Sequence, residues 1–440
     1  MNGPPLSRGA AHALLAALLA LVVAASVAIF TGVGGADGPV GRAPRSPRPA
    51  APAAAGRWIG AWSAAPAAAE PGTERGYPGR SIRNVVHTSL GGGMARVQLS
   101  NLFGGAPLTV DHASLALAAT PGGPAAAPGG MRELTFGGER SVTVPAGRAT
   151  YSDPVRLALA APADLLISTY VSRPAGPVTI HPHARQISYL ASGDRTQDAG
   201  GAAFTAKSLF WRYATAVDVW TTEATGAVVA LGDSITDGVS ATIGADHRWT
   251  DYLAGRLRTE PGAPRLGVLN EGISGNRVLL GGMGSSAVNN PSALDRFDRD
   301  VLSRTGVRAV VVELGVNDIL RLPRQTDSAR IAAGLRTLVE RAHERGLRVT
   351  GATLSPFGGR TGTGPDQELV RRGLNAEIRS GRVFDDVVDF DRVLRDPADP
   401  QRLLPVYDCG DHLHPNDAGY LVMARALDLG VLKGEVRAAL

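Results

Sequence analysis

From about residue 225 onward, short apolar runs alternate with helical patterns, and this alternation confines the C-terminal half to one kind of architecture. Ala227–Leu231 is apolar at every position, as expected of a strand buried on both faces. Similar runs follow at Leu266–Leu269, Val307–Leu314 and Leu347–Leu354, with a weaker one at Val387–Phe390. Between them, Trp249, Leu253 and Leu257 share one helical face. Ile331, Leu335, Leu338 and Ala342 do the same within Ser328–Arg345, and Gly346 supplies the stop. Strand and helix in alternation imply an α/β fold, a parallel sheet covered by helices. Ligands of such sheets bind beyond the carboxyl ends of the strands.

The stretch from Trp58 to about residue 222 has a different texture. Ala95–Asn101 and Glu139–Val144 alternate apolar and polar, and Asp164–Tyr170 does so less strictly. Breaks rich in Gly, Pro and Asp separate them, at Gly91-Gly92-Gly93, Gly104-Gly105, Pro121–Gly130 and Pro174–Pro177. Many short strands with such punctuation indicate an antiparallel, all-β sandwich of jelly-roll type. The chain of 440 residues is thus expected to divide into a β-sandwich over 57–223 and an α/β domain over 224–440, consistent with roughly 100–200 residues per domain.

Ahead of both lies a targeting segment. Arg8 precedes an apolar run from Ala13 to Val23, and Ser26-Val27-Ala28 has the small-x-small form of a cleavage site. Residues 1–30 therefore read as a signal peptide, or as a signal anchor if left uncleaved, since about 20 apolar residues span a bilayer. Residues 31–56 read as a Pro/Ala-rich linker. The folded part is expected outside the cytoplasm, secreted or membrane-anchored. The formal net charge of +5 falls to about +2 once the four arginines and Asp37 of residues 1–55 are set aside, which argues against a nucleic-acid surface. Cys409 is the only cysteine, which rules out an intramolecular disulfide and a multi-cysteine zinc site. It reads as a small packed residue, with a reactive thiol near the site, two residues before Asp411, as the alternative.

Four short stretches carry the chemistry. Ser234, in Gly232-Asp-Ser-Ile-Thr236, directly follows the first apolar strand; a hydroxyl is a weak nucleophile and needs a base within about 2.6–3.2 Å. His414 is the natural base, and Asp411 lies three residues earlier, where one loop turn brings its carboxylate to the imidazole. His412, adjacent to Asp411, is a competitor expected to point away. Pro415 suits the first turn of a following helix. Asn317, in Gly315-Val-Asn-Asp318, sits at a strand's end as a polar amide able to donate to an oxyanion. Gly275 offers a backbone N–H that no side chain obstructs. Taken singly, each stretch has an ordinary reading as a cap or a turn. The common nucleophile elbow Gly-x-Ser-x-Gly does not occur around Ser234.

In their order, the four stretches resemble the conserved blocks of the SGNH hydrolases, also called the GDSL esterase/lipase family, over about 225–440. The resemblance implies a three-layer α/β/α fold and ester hydrolysis through an acyl-enzyme, without cofactor or metal. It makes Ser234 the nucleophile, His414 the base and Asp411 its partner. The oxyanion hole then comes from Ser234, Gly275 and Asn317. Upstream, Trp58–Pro66 and Val97–Gly104 are similar to secreted bacterial members with a β-sandwich ahead of the hydrolase, the arylesterase/acylhydrolase group associated with polysaccharide degradation. The expected partner is an ester substrate, with acylated polysaccharide as a candidate, and no nucleic acid. A membrane enters only through an uncleaved N-terminus. A carbohydrate-binding wall protein with a relict hydrolase fold and an acyltransferase using the same triad are the alternatives.

Other features read as structural. His181-Pro182-His183 is placed on the sandwich surface. Gly281–Gly284 lacks the Lys-Ser/Thr of a phosphate loop. Trp58, Trp62, Trp211 and Trp220 are assigned to core or domain interface, and Asp233 and Asp318 to shaping their turns. The loops Gly358–Gly364 and Val278–Pro291 are expected to shape the pocket.

Overall fold

The strand Gly226–Gly232 shows why the C-terminal half folds as it does. In a computed structural model, which describes residues 55–282 and 290–433, it is buried along its whole length. Ala227, Val229 and Leu231 point into one apolar core, Val228 and Ala230 into another. The first core is closed by the helices Ser328–His343 and Pro365–Arg379, the second by Trp249–Thr259 and Asp417–Ala426. The result is the three-layer α/β/α arrangement of the GDSL/SGNH hydrolases. Five parallel strands run in the order Leu266–Gly272, Gly226–Gly232, Val307–Glu313, Arg348–Ala352, Asp386–Val388. Strand order reverses beside Gly226–Gly232, which opens a crevice at the carboxyl ends of the first three strands in sequence. Ser234, Gly275 and Asn317 each follow one of these three strands.

The preceding region is built on two large antiparallel sheets, with a three-stranded sheet of Trp211–Arg212, Thr179–His181 and Ala68–Ala69 and a two-stranded one of Leu108–Val110 and Val142–Val144 beside them. One large sheet is built on Arg57–Ser63, Ala214–Thr221, Gly92–Ser100 and Val155–Leu159. The other orders Ala206–Ser208, Ser188–Ser192, Arg80–Thr88, Ala163–Val171, His112–Ala118 and Ala126–Leu134. Val97, Leu99 and Val217 from the first sheet meet Ile82, Leu115 and Ile167 from the second in one core, which is sandwich packing. Glu139–Val144 shortens to a strand Val142–Val144, because Gly137 and Gly138 turn the chain between a Phe136–Glu139 bridge.

The two halves meet along the edge strand Leu266–Gly272. Gly60 donates to the Thr305 carbonyl at 3.0 Å, and Ser89 Oγ accepts from the Val268 N–H at 2.9 Å. A Cβ on Gly60 would come within 2.8 Å of the Leu269 side chain, so the sandwich packs on the sheet edge at backbone distance. The described residues all lie in a single compact unit beginning at Ala54. The targeting segment and nearly all of the linker fall outside the described residues, as do Met283 and Gly284. Among the described residues no helix is long and apolar enough to cross a membrane. Trp62 and Trp211 are buried and meet edge to face with centroids 5.0 Å apart, while Trp58 and Trp220 form a half-buried pair at 5.6 Å.

Candidate active site

Gly232 ends its strand with the side chain of Thr236 pressed against it; a Cβ there would lie 2.1 Å from Thr236 Oγ1. The chain then turns at once into the short helix Ser234–Asp237, which Asp233 caps by accepting the Ile235 N–H at 3.0 Å. Ser234 is left 7% exposed at the mouth of the crevice. Its Oγ lies 2.8 Å from His414 Nε2, and His414 Nδ1 lies 2.5 Å from Asp411 Oδ2.

Asp411 reaches the ring because its loop folds around it. Its Oδ1 accepts the backbone N–H groups of Leu413 at 2.9 Å and His414 at 2.8 Å. Partial burial works against its charge, but the His414 N–H and ring and the Leu413 N–H outweigh this and hold it at about 2. An ionised carboxylate only accepts, so Nδ1 carries the proton and Nε2 is left to accept from the Ser234 hydroxyl. Ser240 Oγ donates to the Pro415 carbonyl at 2.6 Å and Tyr420 Oη to the Val239 carbonyl at 2.6 Å, which ties the histidine loop to the serine turn. His412 adopts φ +61° and pairs instead with Asp408 at 2.6 Å.

Two expectations for this loop need correction. Cys409 is exposed rather than packed, because the turn at Gly410, φ +105°, carries the chain outward before Asp411 returns it. Pro415 precedes the helix instead of opening it: Asn416 is the cap, accepting the N–H groups of Ala418 and Gly419, and the helix begins at Asp417.

Asn317 is 6% exposed in the short helix Val316–Leu320. Its Oδ1 accepts from Arg321 Nε at 3.1 Å, and its Nδ2 donates to Asp233 Oδ2 at 3.3 Å. A guanidinium can only donate, which fixes the amide with its N–H side toward Asp233 and the serine turn. Gly275 sits at φ +78°, and a Cβ there would lie 2.4 Å from Arg321 Nη2. One arginine thus braces both candidate oxyanion donors. A second, Arg296, is fully buried and donates to the Gly232 carbonyl at 3.0 Å and to Asn276 Oδ1 at 3.0 Å, linking the residues flanking Ser234 and Gly275. Asp318 does more than shape its own turn. Its carboxylate accepts the N–H groups of Val278 at 2.8 Å and Leu279 at 3.0 Å, anchoring the loop beyond Gly275.

A cleft of about 630 Å³ reaches the site at Gly275 and Arg321 and is lined further by Ile180, Pro182 and Phe210 of the sandwich; Ser234, Asn317 and His414 are not part of its lining. Gly282 and Asn290 contribute from the Val278–Pro291 loop. The 358–364 loop lies outside that cleft: Gly358 donates to the Gln401 carbonyl at 2.6 Å, and a Cβ on Gly359 would lie 3.4 Å from the His412 ring, beside the histidine loop. Arg321, Arg296, Asp237 and Ser274 were missed from sequence. The one available signal was proximity, since Arg321 lies a helical turn beyond Asn317 and Asp237 a turn beyond Ser234.

Beneath the serine turn two carboxyls share a dry site. Burial, with the nearby Asp318 charge, pushes Asp233 up to about 7. Burial, with Asp233 alongside, holds Glu313 well above the carboxylate range. A carboxyl raised on folding holds its proton more tightly in the native state. The stability it contributes is complete below the unfolded value, near 4, and is lost as pH rises through the folded value. Asp411 has the opposite sign, its contribution being gained as pH rises from about 2 toward 4. Glu313→Gln, which mimics the protonated acid, is expected to leave stability unchanged at pH 4 and raise it at pH 8 by on the order of 2 kcal/mol. Urea unfolding of both proteins at the two pH values checks this; a variant no more stable than wild type at pH 8 contradicts it.

Comparison with known proteins gives one family match and several structural likenesses over the same half of the chain. Residues 230–422 match the family model described as GDSL-like Lipase/Acylhydrolase family. Similar solved structures include a GDSL-like lipase from Bacteroides thetaiotaomicron, 20% identical over 46% of this chain and 86% of that one, TM-score 0.34. An acetyl xylan esterase from Geobacillus stearothermophilus is 21% identical over 49% and 98%, TM-score 0.36. A carbohydrate acetylesterase from Sinorhizobium meliloti is 16% identical over 46% and 95%, TM-score 0.36. No curated protein matches.

Proposed function

We propose that this chain, which carries a GDSL-like lipase/acylhydrolase domain over residues 230–422, is an extracytoplasmic serine esterase that hydrolyses small acyl esters, with acetyl esters of carbohydrate and aryl esters as its candidate substrates. One observation carries the reading: Ser234 Oγ stands 2.8 Å from His414 Nε2, and Asp411 fixes the other ring nitrogen. Ser234 Oγ attacks the ester carbonyl carbon as its proton passes to His414 Nε2. The tetrahedral oxyanion is received by the N–H groups of Ser234 and Gly275 and by Asn317 Nδ2. Collapse expels the alcohol, which takes the proton from His414. A water then attacks the acyl-serine, gives its proton to His414, and the acid leaves as the proton returns to Ser234.

Short acyl groups are favoured because the Arg321 guanidinium is packed against Gly275 and narrows the cleft beside the donors. The extracytoplasmic location rests on Arg8 and the apolar run that follows it. Nitrophenyl esters of increasing acyl length, run beside acetylated glycans, test the reading. Turnover is expected to be highest for acetyl and to fall about tenfold by hexanoyl, since the loss accrues at ~1 kcal/mol or more as chain length outgrows the site. A fluorophosphonate is expected to label the peptide containing Ser234. No turnover of any ester and no adduct at Ser234 would refute the assignment.

A further inference from the structure

His181 belongs to the sandwich, at the end of the strand Thr179–His181. The sequence placed it on that domain's surface, yet it is 5% exposed and bonded on both ring nitrogens. Nδ1 lies 2.9 Å from the Ala65 carbonyl and Nε2 lies 2.9 Å from Asp237 Oδ1. A carbonyl can only accept, so Nδ1 carries a proton. Asp237 acts as an acceptor throughout: its Oδ2 takes the Ser274 N–H at 3.0 Å and the Ser274 hydroxyl at 2.6 Å. Burial opposes its charge, but His181 and the hydrogen bonds hold its pKa below the usual range. Nε2 faces this carboxylate, and the two side chains form a buried histidine–carboxylate pair.

A buried pair of this kind is weak evidence for net stability, so its geometry is the feature to explain. The Ala65 bond ties the pair to the sandwich, and the bonds of Asp237 lead to the site. Asp237 closes the helix that Ser234 opens, and Ser274 immediately precedes Gly275. Ile273, the next residue back, packs against Ala65 and Ala67 of the sandwich. The indole of Trp211 stands 5.4 Å from the His181 ring, centroid to centroid, and holds it from the sandwich side. Pro182 then lines the same cleft as Gly275.

We propose that His181 is a positioning residue of the esterase site: through Asp237 it sets the Ser274–Gly275 turn relative to Ser234, so that the two backbone oxyanion donors stand in register only when the sandwich is docked. This rests on the esterase reading above. It gives the sandwich a part in turnover rather than in anchoring alone.

Two substitutions at one position separate this role from packing. His181→Gln keeps an N–H donor near the position of Nε2, facing Asp237. His181→Asn keeps one near Nδ1, facing Ala65, and loses Asp237. With nitrophenyl acetate, His181→Asn is expected to lose about 30-fold in kcat, a fraction of the 10²–10³ that follows outright removal of a donor, with KM within about threefold. His181→Gln is expected to stay within about fivefold of wild-type kcat. Equal losses in the two variants, or a His181→Asn kcat within about twofold of wild type, overturn the proposal. Should neither variant fold, Ser274→Ala removes the shorter of the two hydrogen bonds that join this turn to Asp237, the hydroxyl one at 2.6 Å, with an expected kcat loss of about tenfold; an unchanged kcat there overturns it equally. Wild-type protein treated with fluorophosphonate runs alongside. Failure of that reaction sinks the esterase reading itself, whereas its success with unaffected His181 and Ser274 variants sinks only the positioning role.

Discussion

Ser234→Ala is expected to lower kcat for nitrophenyl acetate by at least about 10⁴ while leaving the thermal midpoint within a few degrees of wild type. The hydroxyl is small, its hydrogen bond goes to His414, and the turn that presents it is held by Asp233 and Gly232 rather than by the side chain itself. Asp411→Asn should fall nearly as far, by about 10⁴, for a different reason. An amide in place of the carboxylate can turn its donor toward Nδ1. The ring then keeps its proton on Nε2, where it cannot accept from Ser234. The contrast is His412→Ala, which removes a ring paired with Asp408 and should leave kcat within about twofold. Stopped assays on the three purified variants read these outcomes directly. Near-normal turnover by Ser234→Ala would end the nucleophile assignment, and a His412→Ala loss as deep as that of Asp411→Asn would move the base to the wrong histidine.

What could be read from the chain alone follows the range of the forces involved. Strand Gly226–Gly232 and helix Ser328–His343 announce themselves because burial on two faces or on one stripe writes a local period into the sequence. The helix Pro365–Arg379 carries the same signal in Val370, Leu374 and Ile378, all turned to the core, but charged residues on its other face dilute it. The nucleophile, base and oxyanion candidates were legible because four short stretches in one order resemble the blocks of a known hydrolase family; Ser234, Gly275 and Asn317 follow strand ends, whereas Asp411 and His414 lie between two helices. Their bracing was not. His181 and Asp237 are 56 residues apart, and no local pattern ties a histidine on a β-strand to a carboxylate in the serine turn. Rated by itself, His181-Pro182-His183 looks like surface; Asp237 of the serine turn on one side and Trp211 on the other make His181 interior. Cys409 fails in the opposite direction. Small apolar residues are usually packed, but a loop that must bring Asp411 under His414 turns its preceding residues out.

Asn317 offers the sharpest test of the electrostatic half of the site. Asn317→Ala removes one donor and is expected to cost about 10²–10³ in kcat with little change in KM. Asn317→Asp should cost more, by at least about 10³, although it is nearly the same size. In place of an N–H it would set an acceptor oxygen facing the serine turn, beside Asp233, a carboxyl that burial already pushes up to about 7. Two outcomes follow from this crowding. The new carboxyl should itself be driven toward its protonated form by burial and by its neighbour, so the deficit of Asn317→Asp should shrink as pH falls, while that of Asn317→Ala should not depend on pH in this way. Arg321, whose Nε meets the Asn317 carbonyl oxygen, remains available to the Asp oxygen on that side, so the fold should be kept. A kcat–pH series for the two variants from pH 5 to 8, normalised to wild type, measures both effects. If Asn317→Asp were as active as wild type at pH 8, this amide would not face a developing negative charge, and the oxyanion hole would have to be built from the backbone N–H groups of Ser234 and Gly275 alone.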